Sequence, residues 1–99
     1  MNTYEKVYAL VSLIPQGKVL TYSIIAKKIG IHPRFVGTIL HKNPNPSQVP
    51  CYKVVNRQGR LAENFAFGGL AAQEEKLRLE GILLENGKVN LRECLWKID

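Results

Sequence analysis

Cys51 follows directly on Pro50, at the end of Asn43-Pro44-Asn45-Pro46-Ser47-Gln48-Val49-Pro50, a stretch with three prolines in eight residues. Proline fixes its own φ and pushes the residue before it out of the helical region, so this stretch must be a stiff, extended loop. A thiol held on such a frame is presented at a fixed place, and its thiolate form is the nucleophile. The basic neighbours Lys53 and Arg57 are expected to raise the thiolate fraction. The ordinary alternative is a buried, inert cysteine, the commoner case on these residues alone. Cys94, in an apolar tail with Leu91, Leu95, Trp96 and Ile98, is read that way. The two cysteines lie far apart with no CxxC, which argues against a disulfide framework and a thiolate metal site.

Charge gives the next constraint. The chain carries +6 overall, but residues 1–60 hold nine Lys/Arg against one acid, while residues 61–99 hold five against seven. A basic front half on a small domain suits a polyanion, most often nucleic acid; a surface that merely aids solubility is the other option.

At 99 residues, 45% hydrophobic and 22% charged, the chain is expected to be one globular domain and not a disordered tail, a collagen-like repeat or a coiled coil. No apolar run reaches the roughly 20 residues of a membrane span. The N-terminus has no signal-peptide pattern, so a reducing cytoplasm is the expected compartment.

The elements that must position the thiol can be read in order. Tyr4, Val7, Tyr8, Val11 and Ile14 recur at helical spacing behind a cap expected at Thr3, and Pro15 and Gly17 end the run. Thr21 is expected to cap a second helix stopped by Gly30. Pro33 is placed to open a third, with Arg34 at its N-terminal end. Two helices joined by a tight glycine turn make a helix-turn-helix pattern. Cys51 to Val55 reads as a β-rich run and Asn56–Gly59 as a turn, with Arg60-Leu61 as a short return strand. A fourth helix spans Leu70 to Glu80, and Asn86-Gly87 marks a hairpin. The expected fold is α+β: a winged helix-turn-helix domain with small β-hairpin elements.

The segment Val49-Pro50-Cys51-Tyr52-Lys53-Val54-Val55 resembles the Pro-Cys-His-Arg-Val active-site motif of the 6-O-alkylguanine-DNA alkyltransferases. The resemblance continues through Gly17-Lys18-Val19-Leu20-Thr21-Tyr22, Pro33-Arg34-Phe35-Val36-Gly37, Asn43-Pro44-Asn45-Pro46, Gly68-Gly69 and Glu80-Gly81. Several segments in one order are more specific than a single motif. The chain looks like the family's C-terminal domain standing alone over residues 1–99, without an N-terminal accessory domain, as in the alkyltransferase-like proteins.

The resemblance implies a DNA repair protein that binds duplex DNA in the minor groove, flips 6-O-alkylguanine and transfers the alkyl group irreversibly to Cys51. Arg34 matches the arginine that fills the vacated base stack, and Tyr22 the residue that rotates the phosphate. Gly37 would let backbone approach DNA, and Lys53 replaces an arginine of the DNA-binding set. Asn43 matches the hinge asparagine of the active-site loop. Phe65 and Phe67 would wall the base pocket. No cofactor or metal is implied, and a monomer is expected.

Two departures bear on chemistry. The family's activating histidine is Tyr52, whose phenol titrates near roughly pH 10 and is a poor base, and Glu80 then lacks its histidine partner. The tyrosine of the active-site loop is replaced by Phe65. Non-catalytic relatives usually carry tryptophan at the position of Cys51, so the retained thiol points the other way. Stoichiometric transfer with reduced reactivity is therefore weighed against a lesion sensor that recruits other repair proteins, such as those of nucleotide excision repair. A winged-helix regulator with an inert cysteine is the third option.

Overall fold

A computed structural model describes residues 1–62 and 67–98. Helix α1 (Thr3–Ser12) starts on a capping box: Oδ1 of Asn2 accepts the Glu5 amide at 2.8 Å, and Oε1 of Glu5 accepts the Asn2 amide at 3.0 Å. The cap expected at Thr3 is thus Asn2, one residue earlier, and Thr3 is the first helical residue. Helix α2 (Tyr22–Ile29) is capped by Thr21, whose hydroxyl accepts the Ile24 amide at 3.2 Å, and it stops at Gly30 with φ at 89°. Helix α3 (Pro33–His41) opens on Pro33, and Nδ1 of His32 accepts the Arg34 amide at 3.0 Å. Val7, Val11, Ile25, Val36 and Ile39 bury one face of each helix in a common core.

Strand β1 (Leu20–Thr21) runs parallel to β2 (Val54–Val55), with Leu20 opposite Val54. The expected strand over 51–55 is corrected: Cys51–Lys53 is a 3₁₀ turn and only Val54–Val55 is extended. The Lys53 amide donates to the Pro50 carbonyl at 3.0 Å, which tightens the chain there. Arg60 does not return alongside β2 but bridges Lys88.

Helix α4 (Gly69–Leu79) leads to β3 (Leu84–Glu85) and β4 (Lys88–Val89), an antiparallel pair closed by Asn86-Gly87. Both loop residues have positive φ, 54° and 75°, as a type I′ turn requires. The hairpin seats on the Asn56–Arg60 turn so closely that a Cβ at Gly59 would lie 2.5 Å from the Val89 carbonyl oxygen. After the short helix α5 (Leu91–Cys94) the chain turns back along β1: the Val19 amide donates to the Cys94 carbonyl and the Trp96 amide to the Val19 carbonyl, both at 2.8 Å. A second core of Val19, Val55, Leu61, Leu77, Ile82 and Val89 fills the space between α4, the strands and the hairpin. The described structure thus mixes helices with two small sheets. Among the described residues no helix is long and apolar enough to cross a membrane.

Candidate functional site

The proline loop is held at both ends by one buried side chain. Nδ2 of Asn43 donates to the Val49 carbonyl at 2.8 Å, and its Oδ1 accepts the Asn45 amide at 3.0 Å. These bonds satisfy backbone groups that the prolines leave without partners. They fix the approach to Cys51, which opens the 3₁₀ turn and is 6% exposed.

Cys51 lines a cavity of about 100 Å³ together with Tyr22 from α2, Gly37, Leu40 and His41 from α3, and Phe67. Burial pushes the thiol pKa up. The Asn43 side chain, a backbone amide of the turn and the charge of Lys76 pull it down without reversing the shift. At neutral pH Cys51 is therefore a neutral thiol. The expectation that Lys53 and Arg57 would raise the thiolate fraction does not hold, because the Lys53 cation is committed elsewhere and Arg57 is exposed on the following turn.

Lys53 is only 2% exposed. Its ammonium donates to the carbonyls of Ile14 at 3.1 Å and Pro15 at 2.6 Å, and pairs with Oε1 of Glu80 at 2.8 Å. It closes the end of α1 onto the turn that follows α4. The DNA-binding role expected of Lys53 is corrected accordingly: a buried ammonium with three partners has no reach to a phosphate. Glu80 also accepts the Gly17 amide at 3.1 Å and the Tyr52 hydroxyl. Burial raises the Glu80 pKa, but Lys53, Tyr52 and the Gly17 amide together leave it below the usual carboxylate range. Tyr52 shifts the opposite way: burial raises it first, and the hydrogen bond and charge of Glu80 raise it further. The phenol stays neutral and donates to a carboxylate that stays charged. Lys76 lies 5.6 Å from the Tyr52 ring centroid and contributes a cation–π contact.

Two residues escaped sequence reasoning. Gln73 on α4 is fully buried; its Oε1 accepts the Ala62 amide at 2.9 Å and its Nε2 donates to the Tyr52 carbonyl at 3.0 Å. It therefore clamps the segment beside the cavity, and no local pattern marks a glutamine for that role. His41 lines the thiol cavity, although its place at the end of α3 gave no such sign.

The structure thus brings Cys51, Tyr22, Gly37 and Phe67 to one cavity, and Tyr52, Lys53 and Glu80 to a separate ion-paired cluster. Arg34 is exposed at the start of α3, one turn before Gly37. Beside it, the half-exposed Phe35 packs edge-on against Tyr4 at 5.9 Å. Among the described residues a Cβ at Gly37 would meet no atom within 4 Å, so none of them requires a glycine there. Phe65 lies outside the described residues. Among the described residues no group of three or more His, Cys, Asp or Glu could hold a metal ion.

Residues 2–82 match the family of the 6-O-methylguanine DNA methyltransferase, DNA binding domain. The chain belongs to this family. Within it, the chain is 38% identical to a DNA base-flipping protein of Vibrio parahaemolyticus, over 93% of each. It superposes on Schizosaccharomyces pombe Atl1, solved in complex with damaged DNA containing O6-carboxymethylguanine, with a TM-score of 0.87 and 33% identity over 97% of this chain and 95% of that one. It is also 38% identical to a methylated-DNA–protein-cysteine methyltransferase of Methanothermobacter thermautotrophicus over 82% of its own length, but spans only 45% of that protein. The family therefore includes methyltransferases as well as alkyltransferase-like proteins, and the Vibrio base-flipping protein and Atl1 match this chain over nearly their whole length.

Proposed function

We propose that this chain is a lesion-binding member of the alkyltransferase family: a monomeric single domain over residues 1–99 that lies in the minor groove of duplex DNA and turns 6-O-alkylguanine out into the cavity beside Cys51. The observation that carries this reading is the convergence of Tyr22, Gly37, Phe67 and Cys51 on one cavity, with exposed Arg34 one turn away on the same helix as Gly37. Helices α2 and α3 act as the helix-turn-helix and the β3–β4 hairpin as the wing. Arg34 fills the stack that the base leaves, Tyr22 turns the phosphate, and Gly37 lets the groove wall approach α3. Phe67 covers the base. Unstacking of a few kcal/mol per step is offset by the contacts that the opened duplex permits. The base-flipping and damaged-DNA-bound relatives support this. The cytoplasm, where free thiols stay reduced, is its proposed compartment.

The chemistry that follows is recognition more than repair. Transfer would form a bond from Sγ to the alkyl carbon and break the carbon–O6 bond, with the thiol losing its proton and the departing guanine taking one up to restore its N1–H, O6-carbonyl form. A positioned general base is worth about 10²–10⁴-fold in such a step. Here the neighbouring Tyr52 is a neutral donor held by Glu80, so no base faces the thiol from that position. The bound lesion would then serve to recruit other repair proteins. Slow stoichiometric transfer is the second reading, favoured by the placement of Cys51 on the cavity wall.

The test is a binding assay with intact-mass readout, on duplexes that differ only in one O6-methylguanine. Selective binding with unchanged mass is the expected result. A stoichiometric methyl gain mapped to Cys51 establishes the second reading. Equal affinity for both duplexes contradicts both and leaves a regulator with an inert cysteine.

A further inference from the structure

Lys53, Arg57 and Lys76 stand in different relations to Cys51. Lys53 is buried in its pair with Glu80, and Arg57 is exposed on the following turn. Lys76 comes from α4, far along the chain. Its ammonium lies 5.6 Å from the centroid of the Tyr52 ring, and Tyr52 follows Cys51 directly in the 3₁₀ turn. Neighbours on α4 fix this contact. One turn earlier, Gln73 donates to the Tyr52 carbonyl at 3.0 Å, and the next residue, Leu77, is fully buried in the second core. At 3.6 residues per turn Gln73, Lys76 and Leu77 share one face of the helix, and α4 packs on the turn. Lys76 is half-buried, so its charge is screened less than that of an exposed lysine. The remaining charges of the cluster cancel: Glu80, one turn further along α4, is paired with Lys53 at 2.8 Å, and Tyr52 is a neutral donor. Lys76 therefore gives the α4 side of this turn a net positive charge. Besides Tyr52, the titratable groups about Cys51 in the described structure are Tyr8 of α1, Tyr22 of α2 and His41 of α3; burial raises both phenols, so they stay neutral.

We propose that Lys76 is a positioning residue for the chemistry of Cys51: its ammonium, held over the Tyr52 ring, stabilises the negative charge that Sγ carries when it attacks an electrophilic carbon. It touches neither the electrophile nor the bond that forms. Its charge also pulls on the thiol itself, as does the Asn43 side chain. The role holds whether the cavity serves recognition or slow transfer, so its failure leaves the proposed function standing.

The test follows Cys51 in the full chain, with iodoacetamide as the probe and each thiol mapped by peptide mass. Sγ forms the bond to carbon, iodide leaves, and the thiol proton passes to the buffer. In the parent the rate at Cys51 rises with pH as thiolate forms. In Lys76→Gln this profile should move up by about half a pH unit or more, about threefold in rate below the midpoint, and Lys76→Arg should restore it. Gln and Arg suit a helix as well as Lys does, so α4 is kept in both variants. Cys94, in the second core, is the internal reference, and its profile should be the same in every variant. Arg57→Gln removes a cation that is near in sequence only, and should leave the Cys51 profile in place. The proposal is overturned by an unchanged Cys51 profile in Lys76→Gln, by an equal shift at Cys94 or in Arg57→Gln, by no recovery in Lys76→Arg, or by a Cys51 that iodoacetamide never reaches.

Discussion

The phenol of Tyr52 is hydrogen-bonded to the carboxylate of Glu80, with Tyr52 as the donor. The residue that follows the thiol therefore faces a structural ion pair, Glu80 with Lys53 at 2.8 Å, and as a neutral phenol it is too weak a base to take a proton from Cys51. In Tyr52→His the imidazole titrates near neutral pH and can accept from Glu80 the orientation that a base needs. Methyl transfer from an O6-methylguanine duplex to Cys51 should rise about 10²-fold or more in this variant, followed by intact mass against time. An unchanged rate would reject the missing base as the limitation.

Lys53 holds together the end of α1, the 3₁₀ turn and the residue that closes α4. Lys53→Met should cost about 3–5 kcal/mol in urea unfolding, because it leaves the Glu80 carboxylate and two carbonyls without their cation. The same cluster sets acid stability. The folded pKa of Glu80 lies below its unfolded value, so its contribution is fully present above about pH 4.3 and is lost as pH falls through the folded value. Glu80→Gln should flatten the acid limb of the stability–pH curve and leave a shallower slope there.

Gly37 lines the thiol cavity, yet a Cβ there would meet nothing within 4 Å among the described residues. Gly37→Ala should stabilise α3 by about 0.5–1 kcal/mol, the usual gain for replacing a glycine inside a helix. Gly37→Leu should fold and lose lesion binding, since its side chain occupies the space into which DNA must come. Thermal unfolding and duplex affinity, measured on both variants, separate the two effects.

Arg34 is exposed at the N-terminal end of α3 and makes no ion pair among those the structure shows. Arg34→Ala should weaken binding to damaged duplex well beyond the loss of one phosphate contact. A fall of only about one unit in the salt slope, with selectivity for the lesion intact, would make Arg34 an ordinary phosphate contact and not the residue that fills the stack.

Local chemistry made much of the helical framework readable. Thr21 and Gly30 bound α2, Pro33 opens α3, and Asn86-Gly87 closes the hairpin, each through a preference that acts within four residues. The proline loop was legible as a non-helical loop leading to Cys51, but not as an extended one: it turns over 46–48, where the Gln48 and Val49 amides donate to the Asn45 carbonyl at 3.1 and 2.9 Å. What escaped depended on partners distant in sequence. Val54 and Val55 pair with Leu20 and Thr21, more than thirty residues earlier, so the β-rich look of 51–55 said nothing of where that strand stops or what it joins. Lys53 reads as a surface cation until the carbonyls of Ile14 and Pro15 are brought over it. Gln73 looks like one more polar residue of α4 until it meets Ala62 and Tyr52. The capping residue of α1 was misplaced by one position because Asn2 and Thr3 are both good caps, and the Glu5 that completes the box decides between them.

The central claim, that a flipped guanine sits beside Cys51, is tested most directly by trapping. A duplex bearing one guanine with a disulfide-capped thioalkyl tether at O6 is incubated with the protein at mildly alkaline pH, and the adduct is digested and mapped. The account predicts a covalent DNA adduct on Cys51, absent when the tether sits on an unflippable backbone position, with Cys94, in the second core, unlabelled. Labelling of Cys94 in preference to Cys51, or no adduct on either thiol while the duplex is bound, would contradict it.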